Sequence, residues 1–187
     1  MKNYREKLKK KIFFPTKQKG FTLLELLVVI AIIGLLASVV LVSFPSAMKK
    51  VRDAQRLQDV SQIITALEVY KANNGSYPPI SSDSCCDGWD QGPCDTNPFI
   101  EALVTSDSAT IVPVDPAGGS GTGCYGYNYY RYSASSYSCD VSRGAFYVLG
   151  IRNMESSGAP YPDSPGWSCS GRDWQNEFDW VTGRFEK

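Results

Sequence analysis

The stretch KGFTLLELLVVIAIIG, Lys19 to Gly34, contains one acidic residue, Glu25, in a run that is otherwise almost entirely Leu, Val, Ile and Ala. No further charge follows before Phe44. A helix from Phe21 to Phe44, at 1.5 Å per residue, is about 36 Å long, which is enough to cross a hydrocarbon core of roughly 30 Å. The alternative is a buried helix of a soluble protein, but a run that is apolar on every face has no side to present to solvent. The sequence therefore predicts a transmembrane helix over residues 21–44.

Charge is divided unequally between the two sides of this helix. Residues 1–20 contain eight basic residues and one acidic residue, a net charge of +7, whereas the whole chain has a net charge of zero. Basic residues beside a membrane-spanning helix stay in the cytoplasm. We therefore expect a cytoplasmic N-terminus and an acidic C-terminal part outside the membrane. A basic arm that binds nucleic acid is the alternative for residues 1–20, but the apolar helix follows at once, and the acidic exported part would repel phosphate.

The boundary before the apolar run carries a specific pattern, Lys-Gly-Phe-Thr-Leu-Leu-Glu, at residues 19–25. An ordinary secretory signal has a shorter apolar core with a cleavage site after it, which does not fit this run. The pattern resembles the start of type IV pilins and pseudopilins. This resemblance implies that residues 1–20 are a leader, that prepilin peptidase cuts between Gly20 and Phe21, and that the new N-terminus at Phe21 is methylated.

The resemblance also implies roles for three residues of the long helix. An ionised carboxylate is unfavourable in a membrane, so Glu25 requires an explanation. The resemblance implies that Glu25 pairs with the N-terminal amine at Phe21 of a neighbouring subunit during assembly. The alternative is that Glu25 reaches the membrane interface and needs no partner. Gly34 occupies the place of a helix-loosening glycine, and Pro45 lacks the N–H that would bond to Leu41, which predicts a kink.

Beyond the membrane run, residues 45–74 have the pattern of an amphipathic helix. A left-handed cap at Asn73-Asn74-Gly75 should end this helix, so that one rod runs from about Phe21 to Asn74. The expected apolar side comprises Ala47, Met48, Val51, Ala54, Leu57, Val60, Ile63, Ile64, Leu67 and Tyr70. The expected solvent side comprises Lys49, Arg52, Asp53, Arg56, Asp59, Gln62 and Lys71.

Residues 75–187 are rich in turn-forming residues and are expected to form an exported globular part of loops and strands. A short helix is predicted in NPFIEALVTS, with Asn97 as N-cap and Pro98 at its first position. Strands are predicted over Tyr125–Ser133 and Gly144–Arg152, and a third lies within residues 174–185. The predicted fold class is α+β and pilin-like: a long N-terminal helix, half transmembrane and half amphipathic, packed on a small antiparallel sheet with disulfide-tied loops.

Cysteine usage agrees with an exported domain. All six cysteines lie beyond the membrane run, and an even count in an exported domain indicates disulfides. A zinc site is disfavoured because the chain has no histidine and no Cys-x-x-Cys spacing. The sequence does not choose among the pairings, although the adjacent Cys85 and Cys86 should have separate partners, with Cys94 a candidate for one. The disulfide candidates are Cys85, Cys86, Cys94, Cys124, Cys139 and Cys169.

Three further patterns could indicate ligands. Gly121, Gly123 and Gly126 match a dinucleotide fingerprint, but a Tyr-rich strand follows where a helix is required, so turn glycines are favoured. The tyrosines that alternate along this strand could stack on ligands, but a packed sheet face is favoured. No cofactor is expected. Weak candidates for binding Ca²⁺ are Asp163, Asp173, Glu177 and Asp179, for which a solvated acidic surface is favoured because no EF-hand spacing is present.

The globular part also loosely resembles a major pseudopilin of type II secretion, in the order ALEVYKANNGSYP, PFIEALV, VDPAGGSGTGCYGYNYY and FYVLGIRNMESSG. The six cysteines and the insert around residues 82–93 depart from that family. The resemblance implies a non-enzymatic structural subunit of a pseudopilus or type IV pilus in the bacterial inner membrane and then in a periplasmic or extracellular filament. It implies self-assembly and contacts with related pilins, prepilin peptidase, membrane lipid, and an inner-membrane platform with its ATPase.

Two alternatives remain at the sequence level. One is a minor pilin that acts in adhesion or DNA uptake at a filament tip. The other is a membrane-anchored exported enzyme, which is disfavoured because the chain has no histidine and no G-x-S-x-G motif, although paired carboxylates could still hydrolyse glycosides.

Overall fold

The computed structural model describes residues 20–81, 86, 88–91, 98–118 and 125–187. The described residues form two compact units, which divide between Ser43 and Phe44. The predicted leader, apart from Gly20, and most of the predicted insert lie outside the described residues.

The long helix α1 extends over Leu23–Asn74 and includes Pro45. It begins two residues later than predicted and ends where predicted. Gly75 has a left-handed φ of 78°, and its N–H donates to the carbonyl of Lys71 at 2.8 Å, so the predicted C-cap is confirmed. The helix continues through Pro45, although proline has no N–H group to donate to the helical hydrogen bond. A kink at this residue stays a prediction.

The globular unit contains a small antiparallel sheet. The elements after α1 are β1 (Asp90–Gln91), α2 (Glu101–Thr105), β2 (Gly126–Tyr132), β3 (Phe146–Arg152), β4 (Ser168–Cys169), β5 (Arg172–Asp173) and β6 (Trp180–Phe185). Four strands form the main sheet in the order β1-β2-β3-β6, and every neighbouring pair is antiparallel. Strands β4 and β5 pair separately as a hairpin. The α+β prediction is confirmed.

The sheet is covered on both faces because successive strand residues point to opposite sides. One face packs against α1 through Val60, Ile63 and Leu67 on the helix and Tyr129 and Leu149 on the sheet. The other face forms an aromatic core with the C-terminal loops, which contains Trp89, Tyr132, Phe146, Trp174, Phe178 and Phe185. The helix thus covers one apolar face as predicted, and the C-terminal loops cover the second.

The assignment of the two sides of the amphipathic helix is wrong at its N-terminal end. Asp53, Arg56 and Asp59, which were expected in solvent, are buried with 0%, 2% and 8% exposure. The apolar residues expected to pack, Ala47, Met48, Val51 and Ala54, are exposed. The reason is that the apolar packing of the sheet against α1 begins only at Leu57, while the loops that reach the preceding turns bring charged and polar partners.

Two smaller predictions also need correction. Helix α2 begins at Glu101 with Ile100 as its N-cap, so Pro98 is not its first position, and the predicted cap Asn97 lies outside the described residues. Burial decides this start, since Phe99 and Ile100 lie in the core and the N–H of Ile100 donates to Asp90 at 3.3 Å. Within residues 174–185, only β6 is a strand, because Trp174–Asn176 forms a 3-10 turn.

Candidate functional site

The N-terminal half of α1 presents an apolar surface that nothing in the described chain covers. Residues Leu23–Leu41 have a mean hydropathy of 2.9, and none of them is buried. This is the one helix among the described residues that is long and apolar enough to cross a membrane. An uncovered surface of this size requires lipid or other protein.

Glu25 is held by the first turn of the same helix. Its Oε2 accepts hydrogen bonds from the N–H of Thr22 at 2.8 Å and from the hydroxyl of Thr22 at 2.9 Å. In return, the N–H of Glu25 donates to Oγ1 of Thr22 at 3.2 Å. These reciprocal bonds form a capping box, in which a Thr at the N-cap and a Glu three residues later satisfy each other's free N–H groups.

The capping box was missed in the sequence analysis, although its signal was present. Thr-x-x-Glu directly before an apolar run is the pattern that predicts it. The negative charge also lies at the N-terminal end of the helix dipole, where it is favourable. Glu25 therefore has a local partner in the isolated chain.

The predicted processing point lies just before this cap. Gly20 and Phe21 precede the first helical residue, and the side chain of Phe21 is 86% exposed. A Cβ atom placed on Gly20 would meet nothing within 4 Å. The same holds for Gly34 inside the helix, so the described chain gives no packing reason for a glycine at either position.

A second polar site lies in the globular unit, around the buried side chain of Arg56. Its guanidinium donates two parallel bonds to Asp115, at 2.8 and 2.9 Å, and one to Asp53 at 2.7 Å. Its Nη1 also lies 2.9 Å from Oε1 of Glu155. Asp53 in turn accepts backbone N–H bonds from Glu155 and Ser156.

The ionisation of these groups follows from their partners. Burial alone would raise the pKa of Asp53, but hydrogen bonds from Ser156, Glu155 and Arg56 outweigh it, so the pKa lies below the ordinary value of 3.8. Hydrogen bonds from Arg52 and Arg56 hold the pKa of Glu155 at about 2. Asp53 and Glu155 therefore stay charged at neutral pH. The cluster is a structural clamp between α1, the segment at Asp115 and the loop after β3.

The cysteine candidates are partly confirmed. Cys139 and Cys169 form a disulfide, with a separation of 30 residues in sequence. Cys86 is also disulfide-bonded. The remaining candidates, Cys85, Cys94 and Cys124, lie outside the described residues, and the predicted separate partners of Cys85 and Cys86 stay a prediction.

The four calcium candidates are not brought together as a site. Among the described residues, no cluster of three or more Asp, Glu or Cys side chains could hold a metal ion. Asp163 is exposed, and the other three carboxylates have separate protein partners: Asp173 with Gln175 N–H, Glu177 with Arg172, and Asp179 with Met154 N–H.

Packing explains two tyrosines of the aromatic pattern. Tyr127 and Tyr129 are fully buried on the face of the sheet that meets α1, and their hydroxyls donate to Asp59 and to the carbonyl of Pro78. This confirms the packed-face prediction for these two residues, whereas Tyr125 is 50% exposed. Gly126 has a left-handed φ of 87° at the start of β2, while Gly121 and Gly123 lie outside the described residues.

Comparison with known proteins identifies the N-terminal half of α1. Residues 15–41 match the prokaryotic N-terminal methylation motif. The chain is 44% identical over 62 residues to the type II secretion system core protein G of Escherichia coli strain K12, an alignment that covers 33% of this chain and 43% of that protein. It is 37% identical over 89 residues to the protein of the same name from Vibrio cholerae, covering 48% of this chain and 50% of the relative.

The chain thus spans half or less of the length of these curated relatives. No solved structure shows a significant match to it.

Proposed function

We propose that this protein is a structural subunit of a type II secretion pseudopilus, because its N-terminal segment is similar to that of the type II secretion system core protein G relatives. The observation that carries the proposal is the uncovered apolar half of α1, which coincides with the methylation motif over residues 15–41. Such a surface can lie in lipid before assembly and against other subunits afterwards. Catalysis has no part in this proposal.

In the proposed pathway, the chain is inserted in the bacterial inner membrane with residues 1–20 in the cytoplasm and the globular unit outside. Prepilin peptidase cuts between Gly20 and Phe21 and methylates Phe21. The exposure of Phe21 and the open space around Gly20 support access by such a peptidase. An inner-membrane platform with its ATPase then moves subunits from the bilayer into a filament in the periplasm or outside the cell.

Glu25 is proposed to set the position of each new subunit. Cleavage creates an α-amino group at Phe21, whose reference pKa is about 7.7 to 8.0, so that it is mostly cationic at neutral pH. Within one helix this amine lies about 6 Å along the axis from Glu25, which favours pairing with the amine of a neighbour displaced along the axis. The capping box supports this role, since it holds the carboxylate at the first turn while leaving it exposed.

Processing is tested by mass spectrometry of the protein extracted from membranes of cells with active prepilin peptidase. We expect a mature N-terminus at a methylated Phe21. Replacing Gly20 by a bulky residue should block cleavage, whereas a chain that still starts at Met1 in wild-type cells would contradict the proposal.

Assembly is tested by three variants that separate charge from capping. Glu25→Leu should be inserted and cleaved but should assemble poorly as the only copy, and Glu25→Gln should behave in the same way because Gln can replace Glu in a capping box but carries no charge. Thr22→Val removes the hydroxyl of the cap and keeps the carboxylate, so it should assemble. The measurements are filament amount and filament-dependent secretion. Normal assembly of Glu25→Gln would show that the charge is not the assembly contact.

A type IV pilus is the second candidate. The observation that favours it is the Cys139–Cys169 disulfide, because C-terminal disulfides are more common in type IV pilins than in pseudopilins. Imaging cells with and without this chain tests the choice: surface filaments that depend on the chain favour a pilus, and loss of secretion without loss of such filaments favours a pseudopilus.

A further inference from the structure

A cavity of the globular unit lies beside the first turns of α1 that follow the predicted membrane span. Its volume is about 330 Å³, within the size range of ligand sites. Lys50 of α1 contributes to its lining, together with Tyr161 and Asp163 of the loop between β3 and β4. The other residues of the lining are Ser156, Ser157 and Pro162.

The two charged residues of this lining, Lys50 and Asp163, do not pair with each other. Both are exposed, and neither side chain forms an ion pair or a hydrogen bond with any described residue. Their charged groups are therefore too far apart to form an ion pair, although they line the same cavity. The cavity thus separates a cation from a carboxylate, and both charges are available to a ligand.

The loop that forms one wall of the cavity is held in place. The N–H of Tyr161 donates to the carbonyl of Asp179 at 2.7 Å, and the indole N–H of Trp180 donates to the carbonyl of Asp163 at 3.1 Å. The cluster around Arg56 joins the start of the same loop to α1. The cavity is therefore formed before any ligand binds.

The place of the cavity along α1 indicates what it meets. Lys50 is six residues beyond Phe44, the last residue of the predicted membrane span, a distance of about 9 Å along a helix. A headgroup layer is roughly 5 to 8 Å thick on each side of the hydrocarbon core, and a lysine side chain can extend its ammonium group to such a layer. Phe44, Met48 and Val51 are exposed apolar residues of the same turns. The lipid around the span can therefore reach the cavity.

We propose that this cavity binds the headgroup of phosphatidylethanolamine, with the phosphate on Lys50 and the ammonium group on Asp163. This headgroup carries both charges, joined by two carbon atoms, and so matches a cavity that separates a cation from a carboxylate. Ser157 and Tyr161 carry hydroxyl groups that can donate to phosphate oxygens. An anionic headgroup without an ammonium group leaves Asp163 beside a like charge. The inference rests on the membrane anchor of the proposed function and adds a headgroup preference to it.

The test is native mass spectrometry of the full-length chain in detergent. The chain is titrated with phosphatidylethanolamine or with phosphatidylglycerol of the same acyl chains, and the Kd of the first bound lipid is measured. We expect the wild-type chain to bind phosphatidylethanolamine at least about threefold more tightly, a modest factor because contacts between exposed charges are weak. Equal binding of the two lipids by the wild-type chain would overturn the proposal.

Two pairs of variants assign the preference to the cavity. Lys50→Met should weaken binding of phosphatidylethanolamine about threefold or more. Its matched control is Lys49→Met, which removes the same charge from the adjacent exposed residue outside the cavity lining and should change the Kd by less than about 1.5-fold. Asp163→Asn should abolish the preference for phosphatidylethanolamine over phosphatidylglycerol. Asp107→Asn, at another exposed aspartate, should keep it. Circular dichroism of each variant checks that the fold is retained.

Other outcomes separate this inference from the proposed function. Equal effects of Lys50→Met and Lys49→Met, or a preference that survives Asp163→Asn, would overturn the headgroup site. Binding of glycerophosphoethanolamine as tightly as the lipid would identify a soluble phosphate ester as the occupant and would also overturn it. Each of these results leaves the proposed function standing. A chain found in the soluble fraction of cells, and not in their membranes, would overturn both.

Discussion

Arg56 lies at the centre of a buried polar cluster between α1 and the loops. It is 2% exposed and joins Asp53 on its own helix to Asp115 and Glu155 from other parts of the chain. A buried charge is costly unless it is paired and hydrogen-bonded, and here the guanidinium has carboxylate partners on several sides. The cluster therefore depends on all members being present at once.

Loss of this guanidinium should strongly destabilise the globular unit. We expect Arg56→Met to lower the free energy of unfolding by about 3 to 5 kcal/mol, because Asp53 and Asp115 are then left buried without a cation. The matched control is Arg184→Met, which removes a partly exposed pair with Glu68 and should cost no more than about 1 kcal/mol. Urea unfolding followed by tryptophan fluorescence measures both, and similar losses in the two variants would contradict the structural role of the buried cluster.

The same cluster predicts how stability depends on pH. The pKa of Glu155 is about 2 in the folded chain against an ordinary 4.5, and that of Asp53 is also lowered. A carboxylate whose pKa is lowered by folding stabilises the fold at pH values above its unfolded-state pKa. This stabilisation is lost as the pH falls through its folded-state pKa. Unfolding free energy should therefore decrease between pH 5 and pH 2, as measured by urea titration. Arg56→Met should show a weaker decrease over the same interval, and an unchanged slope would contradict this origin.

At the scale of elements, strand β3 packs closely against the segment around Phe178, and a glycine in the strand allows this packing. A Cβ atom placed on Gly150 would lie 2.4 Å from Cδ1 of the Phe178 ring, which is 2% exposed. The ring therefore occupies the space that any other residue on the strand would need. The Cys139–Cys169 disulfide joins two further segments of the same aromatic core.

Gly150→Ala should move the Phe178 ring and loosen the aromatic core. We expect a loss of about 1 to 3 kcal/mol in the free energy of unfolding, the usual cost of an added methyl group in a packed core. Gly158→Ala is the control, because a Cβ atom there meets nothing within 4 Å. Thermal unfolding of both variants measures the difference, and a Gly150→Ala protein as stable as Gly158→Ala would show that the ring adapts without cost.

At the scale of the whole molecule, the chain has an N-terminal helical unit without a core and a globular unit with its own core. The N-terminal helix presents its apolar surface to lipid or to neighbouring subunits. None of the residues in Leu23–Leu41 is buried, while both core clusters lie beyond Phe44. The N-terminal unit therefore contributes nothing to the described core.

A fragment of residues 44–187 should consequently fold without the N-terminal unit. We expect a soluble protein with a single cooperative urea transition and oxidised Cys139 and Cys169. The full-length chain is the control and should need detergent to stay in solution, since its apolar helix is uncovered. A fragment without a cooperative transition would show that residues 1–43 contribute to folding.

Much of the local structure of this protein follows directly from patterns in its sequence. The apolar run, the end of α1 at Gly75, the positions of β2 and β3 and the motif around Gly20 depend on neighbouring residues and on side-chain periodicity, which the sequence displays. The capping box of Thr22 and Glu25 belongs to the same class, because its members are three residues apart.

Only the tertiary structure decided which polar residues are buried and which apolar residues are left uncovered. Arg56 meets Asp115 across 59 residues, and Asp53 meets Ser156 across 103, so neither pairing has a local signal. The start of α2 at Ile100, the choice of Cys169 as partner of Cys139, and the cavity that Lys50 and Asp163 line are likewise set by distant segments. The physical reason is that periodicity reports the face on which a residue lies, while burial depends on whether another part of the chain reaches that face with matching charge and shape.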